Sequence, residues 1–116
     1  MLLGCGGNRD RTKRPIMGNT AAQYADLVVV TTDNPRFEEP QAIIDDILPG
    51  LADAACPHVS IVDRREAIGY AIRAAKTGDT VLLLGKGHET YQEVCGVRSH
   101  FSDAEEARTV LRERKA

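Results

Sequence analysis

Residues 27–32 read L-V-V-V-T-T, a continuous apolar and β-branched run. It lacks the apolar–polar alternation of a half-solvated strand and fits one covered on both faces, as in a parallel sheet. Similar but shorter runs occur at Leu2-Leu3, at His58 to Val62 and at Thr80-Val81-Leu82-Leu83-Leu84. Helical patterns separate them. Pro15 to Tyr24 reads as a short helix with proline in its first turn, where a missing N–H costs nothing. Pro40 opens a second, with Ile43, Ile44, Ile47 and Leu48 at helical spacing. Asp63-Arg64-Arg65-Glu66 is a capping-box pattern for a third, which Thr77-Gly78-Asp79 ends. A hairpin around Cys95-Gly96 follows, and Ser102-x-x-Glu105 caps a last helix running to about Arg114. Strand and helix alternate, which predicts an α/β fold. The expected architecture is a Rossmann-like open, mostly parallel sheet with helices on both faces and a C-terminal hairpin plus helix.

The 116 residues suffice for one domain with one real core and leave little room for a second. Aromatic residues are 4% with no Trp, so Val, Ile, Leu and Ala must fill that core. The net charge of −2 gives no whole-chain field toward nucleic acid or a membrane, and neither is an expected partner. No apolar run approaches the ~20 residues that span a bilayer. Cys5, Cys56 and Cys95 are odd in number and widely spaced, which suits reduced thiols in a cytoplasmic protein.

Three polar loops, at residues 4–14, 33–36 and 85–89, each follow a strand directly. In open α/β sheets the ligand crevice lies at those carboxyl ends, so the loops should converge on one edge. Gly4-x-Gly6-Gly7 suggests a dinucleotide fingerprint but fails it, because Arg9 stands where the third glycine belongs. Gly85-Lys86-Gly87 lacks the spacing and the Ser/Thr of a Walker A loop. A tight turn remains an equal reading of the glycines. Asn8 to Arg14 carries four basic residues against one acid, which fits a solvated loop or a cradle for phosphate or carboxylate oxygens.

Asp33-Asn34-Pro35-Arg36 has turn residues in turn order, yet it also offers chemistry. Pro35 stiffens the loop, Asn34 presents a donor beside an acceptor, and Arg36 offers a carboxylate clamp. In Gly85-Lys86-Gly87-His88-Glu89 the glycines permit close approach and Glu89 could pair with an ammonium. His88 and Lys86 are weak catalytic candidates, and a lone loop histidine is more often structural. No metal site is expected. His58 and His100 read as packing or surface residues, and Cys5 as small-residue packing.

Together, Gly4-Cys5-Gly6-Gly7-Asn8-Arg9-Asp10 with Lys13-Arg14-Pro15, Asp33-Asn34-Pro35-Arg36, and Gly85-Lys86-Gly87-His88-Glu89-Thr90-Tyr91-Gln92 resemble one family. It is that of the Mur ligases which add 2,6-diaminopimelate, and the likeness is to their C-terminal domain. It covers almost the whole chain in order and spacing. The D-N-P-R segment is that family's diaminopimelate recognition motif, so Asp33, Asn34, Pro35 and Arg36 are implied substrate-binding residues, with Arg9, Gly85 and Glu89. Arg36, helped by Arg9, would hold the carboxylate that lysine lacks, Glu89 an ammonium, and Asn34 either group. Asn8, Arg11, Lys13 and Arg14 are the implied nucleotide contacts.

The resemblance further implies a cytoplasmic, ATP- and Mg²⁺-dependent amide ligase of peptidoglycan synthesis. Its partners would be meso-diaminopimelate, UDP-N-acetylmuramoyl-L-alanyl-D-glutamate and ATP, joined through an acyl-phosphate. The family's phosphate-binding G-x-x-G-K-T loop does not occur in residues 1–116, so ATP and Mg²⁺ are expected to sit mainly on another domain. The chain is expected to lack the first strand and helix of the family domain and, alone, to ligate nothing. Two rivals stand beside this reading. One is a Mur-type or polyglutamate-type ligase domain with another amino acid; the other is a freestanding, non-catalytic amino-acid- or nucleotide-binding module.

Overall fold

A computed structural model describes residues 1–115. Strands β1 (Leu2–Leu3), β2 (Val28–Val30) and β3 (His58–Ser60) form a parallel sheet in the order β1-β2-β3. Helices α1 (Lys13–Tyr24), α2 (Pro40–Ile47) and α3 (Arg64–Ala74) alternate with them, and a short 3-10 turn at Leu48–Leu51 extends α2. A two-residue turn joins the antiparallel strands β4 (Tyr91–Val94) and β5 (Val97–His100), and α4 (Asp103–Lys115) follows.

The strand alternation divides the core. Leu3, Val28 and Val30 face one side and pack with Ile43, Ile44 and Ile47 of α2. Leu2 and Val29 face the other and pack with Ala67, Ile68 and Ile72 of α3, with Phe101, and with Val110 of α4. Adjacent strand residues point to opposite faces, so a fully apolar strand must be covered twice.

Local signals set the boundaries. Asp63 caps α3 by accepting from Arg65 N and Glu66 N, and Glu105 N donates to Ser102 Oγ at the start of α4. Glu39 accepts from Gln41 N ahead of Pro40 at the first position of α2. In the hairpin, Cys95 and Gly96 have φ of 50° and 79°, both left-handed, as the twist of a two-residue connection requires. α1 begins at Lys13, two residues earlier than the proline suggests.

The structure corrects one strand. Residues 80–84, expected to be buried on both faces, form a parallel edge beside β1 with the single bridge Leu2↔Leu83. Leu2 N donates to Leu82 O and Leu84 N to Leu2 O. Val81 and Leu83 pack beneath α3 and α4, whereas Leu82 and Leu84 on the other face stay 45% and 40% exposed. The spatial order is therefore segment 80–84, β1, β2, β3, with three carboxyl ends opening on one edge. Among the described residues no helix is long and apolar enough to cross a membrane.

Candidate functional site

The loops after β1, β2 and segment 80–84 meet around one side chain. Lys86 has a completely buried side chain, and its Nζ donates to Asn34 Oδ1 at 2.9 Å and to Tyr91 O at 3.0 Å. Asp33 Oδ1 lies 3.1 Å from the same nitrogen as an ion pair outside hydrogen-bonding geometry. Gln92 Nε2 donates to Asp33 O at 2.9 Å, so the β2 loop is held from both sides. Gly85, at φ +112°, brings the third loop in close: a Cβ there would stand 3.2 Å from Asp33 Oδ2 and 3.4 Å from Gly4 O.

Asn34 is 2% exposed, and its amide has fixed ends. Oδ1 accepts from Lys86 Nζ and from Glu93 N at 3.0 Å, while Nδ2 faces Glu89 Oε1 at 3.4 Å. Tyr91 Oη stands 3.5 Å from Glu89 Oε2, and Glu89 N donates to Lys86 O. The Glu89 carboxylate thus touches two neutral donors and no cation among the described residues. It is the negative end of the site.

Arg36 supplies the positive end. Its φ of 55° is left-handed, a strained conformation for a non-glycine residue. The hairpin holds it there: Arg36 N donates to Glu93 O at 3.1 Å and Cys95 N to Arg36 O at 2.7 Å. The backbone turn aims the guanidinium at the glycine loop, where Nη1 donates to Gly7 O at 3.0 Å. A Cβ built on Gly6 would lie 2.8 Å from Arg36 Nη1 and 3.6 Å from Arg9 Cγ, so both arginines flank Gly6. Pro35 is fully buried and seats this loop on Gly7. One edge of the sheet therefore carries guanidinium N–H groups, an amide donor and a free carboxylate, a complement to a group bearing both carboxylate and ammonium.

The basic run divides. Arg14 is buried and spends its guanidinium on Glu38 at 2.9–3.0 Å, Asp46 at 2.9 Å and Gly6 O at 3.1 Å. Arg11 is exposed and pairs with Asp46 at 2.9 Å. These contacts, Arg14 foremost, hold the Glu38 carboxyl below its usual range, and Arg11 then Arg14 do the same for Asp46. Asn8 accepts from Phe37 N at 3.2 Å and donates its own N–H to Glu38. Of the four implied nucleotide contacts, three are thus committed to protein partners, and Lys13 alone has no side-chain hydrogen bond or ion pair among the described residues. Cys5 is buried with its Sγ 3.5 Å from Met17 Sδ, and burial pushes its thiol pKa up, as packing rather than nucleophilic use requires. His58, His88 and His100 are exposed. Among the described residues no three His, Cys, Asp or Glu side chains gather as metal ligands.

Residues 1–87 match the family described as "Mur ligase, glutamate ligase domain". The chain belongs to the Mur ligase family. The UDP-N-acetylmuramoyl-L-alanyl-D-glutamate–2,6-diaminopimelate ligase of Gloeobacter violaceus is 54% identical over 115 residues, 99% of this chain and 23% of that protein. The enzyme of that name from Trichormus variabilis is 56% identical over 114 residues, 98% of this chain and 23% of the relative. A solved structure of a ligase of that name superposes with a TM-score of 0.90 at 44% identity, covering 99% of this chain and 24% of the other. This Mur ligase domain thus spans about a quarter of the relatives it matches.

Within the domain, Asp33, Asn34, Arg36, Gly85 and Glu89 come together, with Arg9 at the rim. Lys86 is by sequence only a weak catalytic candidate, and its complete burial makes it an internal support of the site. Sequence reading missed Glu38 and Asp46, because acids 24 and 32 positions beyond Arg14 carry no local signature. It also missed the contribution of β4, whose backbone N–H and C=O groups orient Asn34 and Arg36.

Proposed function

We propose that this chain is the amino-acid-binding domain of an ATP-dependent amide ligase that adds meso-diaminopimelate to UDP-N-acetylmuramoyl-L-alanyl-D-glutamate in the cytoplasm. One observation carries the reading: Asn34 is hydrogen-bonded to Glu89, and two residues on Arg36 turns its guanidinium onto the glycine loop. A site with both charges suits an amino acid whose distal end is itself an amino acid. Lysine has an ammonium there and no carboxylate. The relatives named above, at 54% and 56% identity, bear the name of this activity.

In this reading Arg36, with Arg9, holds the distal carboxylate in a planar fork, and Glu89 holds the distal ammonium. Fixing that end orients the other amine toward the acyl group to be joined, which lowers the entropic part of the barrier. ATP with Mg²⁺ would supply the phosphoryl group that activates the acceptor carboxylate. Their fit to this chain is poor: Arg11, Arg14 and Asn8 are engaged with protein groups, and no metal-ligand cluster is present among the described residues. Lys13 and Arg9 are the basic side chains that a nucleotide approaching from another domain could meet.

Arg36→Ala in the full ligase carrying this domain is expected to raise the KM for meso-diaminopimelate by about tenfold to a hundredfold, the loss of one charge-assisted contact. The KM for ATP should stay within about twofold of wild type. Equal rises in both constants, or a wild-type enzyme that prefers lysine, would overturn the assignment.

A further inference from the structure

We propose that Lys86 is a positioning residue: its buried ammonium locks the Asn34 side-chain amide so that the site receives a hydrogen-bond donor and never an acceptor. The inference rests on the amino-acid-binding reading above and deepens it.

An asparagine amide is nearly symmetric in shape, and its two orientations differ only in which end carries the N–H groups. At Asn34 the choice is forced. The inner end faces Lys86 Nζ at 2.9 Å and Glu93 N at 3.0 Å. An ammonium and a backbone N–H can only donate, so that end must be the oxygen. A flip would set the NH₂ group against two donors in a buried region, leaving the Glu93 N–H and the inward NH₂ unsatisfied and costing Lys86 one of its partners. The outer end is then Nδ2, directed at Glu89 Oε1 at 3.4 Å.

Two consequences follow for recognition. Asn34 is a reader of carboxylate oxygens and cannot accept from an ammonium, which narrows the dual role its residue type allows. Glu89, steered by the Nδ2 donor and by Tyr91 Oη at 3.5 Å, keeps its negative charge for the ligand ammonium. Lys86 itself is out of reach of a ligand at the surface of the site. Its side chain is wholly buried, its charge faces Asp33 at 3.1 Å, and its remaining contacts are Tyr91 O and the Phe101 ring, 5.9 Å away. Arg64, also buried, is bound to Asp103, Thr32 O and Leu84 O and does not reach the amide.

The test compares Lys86→Met, which removes the donor, with Lys86→Gln, whose amide can still donate to Asn34 Oδ1, both in the full ligase. Lys86→Met should raise the KM for meso-diaminopimelate by about tenfold or more, leave the KM for ATP within about twofold, and reduce discrimination against lysine. Lys86→Gln should recover at least part of each loss. A merely structural lysine would not split the two KM values at a temperature well below the variant's Tm. Side-chain amide NMR gives a readout that needs no substrate: the Asn34 NH₂ resonances should be single and slowly exchanging in wild type, and shifted or doubled in Lys86→Met. Unchanged resonances, or equal effects on both KM values, overturn the positioning role. If the resonances change as expected but the wild-type ligase prefers another amino acid, the functional reading fails while the locked amide stands.

Discussion

At the scale of single residues, the site depends on what is left out at position 7. Gly7 N donates to Asn34 O at 2.7 Å, and a Cβ at Gly7 would fall 1.8 Å from Pro35 O. No rotamer relieves that clash, because the obstacle is backbone on a loop held by Lys86 and Gln92. Gly7→Ala must therefore push the first loop off the second and carry Arg36 away from its anchor on Gly7 O. The expected cost is about 1–3 kcal/mol of stability, the range for forced overpacking. Gly87 makes the control, since its φ of 56° is unfavourable for alanine but a Cβ there meets nothing within 4 Å. Urea denaturation should rank Gly7→Ala as the more damaging change. A Gly7→Ala midpoint equal to that of Gly87→Ala would mean that the two loops do not press together as described.

At the scale of elements, the N-terminus of α1 is fastened to α2 by charge. Buried Arg14 reaches Glu38 and Asp46, and exposed Arg11 adds a second hold on Asp46. Both carboxyls have depressed pKa values in the folded state, so the unfolded chain binds protons more readily. Their stabilisation is complete above the ordinary carboxylate range and is lost as pH falls through the lowered values. The arginines stay protonated throughout. A thermal-unfolding series should show Tm falling below about pH 4.5, more steeply in wild type than in a Glu38→Gln, Asp46→Asn variant. Parallel acid limbs would show that the fastening contributes nothing. The same element marks the reach of sequence reading. Helix positions were legible from caps and apolar spacing, which are local. The destination of Arg11 and Arg14 was not, because a basic run looks alike whether it faces a ligand or two distant acids.

At the scale of the whole molecule, the alternation of runs and helices made the doubly covered parallel sheet legible, and the loops after the strands located the ligand edge. What joins the two halves was hidden. Arg64, at the first position of α3, donates to Asp103 Oδ1 at 2.8 Å and Oδ2 at 2.7 Å, to Thr32 O at 3.0 Å and to Leu84 O at 3.1 Å. It thereby ties α4 to the carboxyl ends of β2 and of segment 80–84, two of the three elements that feed the site. Its partner lies 39 positions away in a helix whose acidic first turn otherwise suggests only a favourable helix dipole. Arg64→Met removes one ion and leaves Asp103 buried without its counter-charge, which costs about 3–5 kcal/mol when a buried pair is broken from one side. Adding Asp103→Leu removes the orphaned charge, so the double variant should be more stable than Arg64→Met alone. The sum of the two single losses should exceed the double loss by more than about 1 kcal/mol in urea denaturation. Additive losses would mean that the pair is incidental, and that the carboxyl ends of the sheet are held by apolar packing alone.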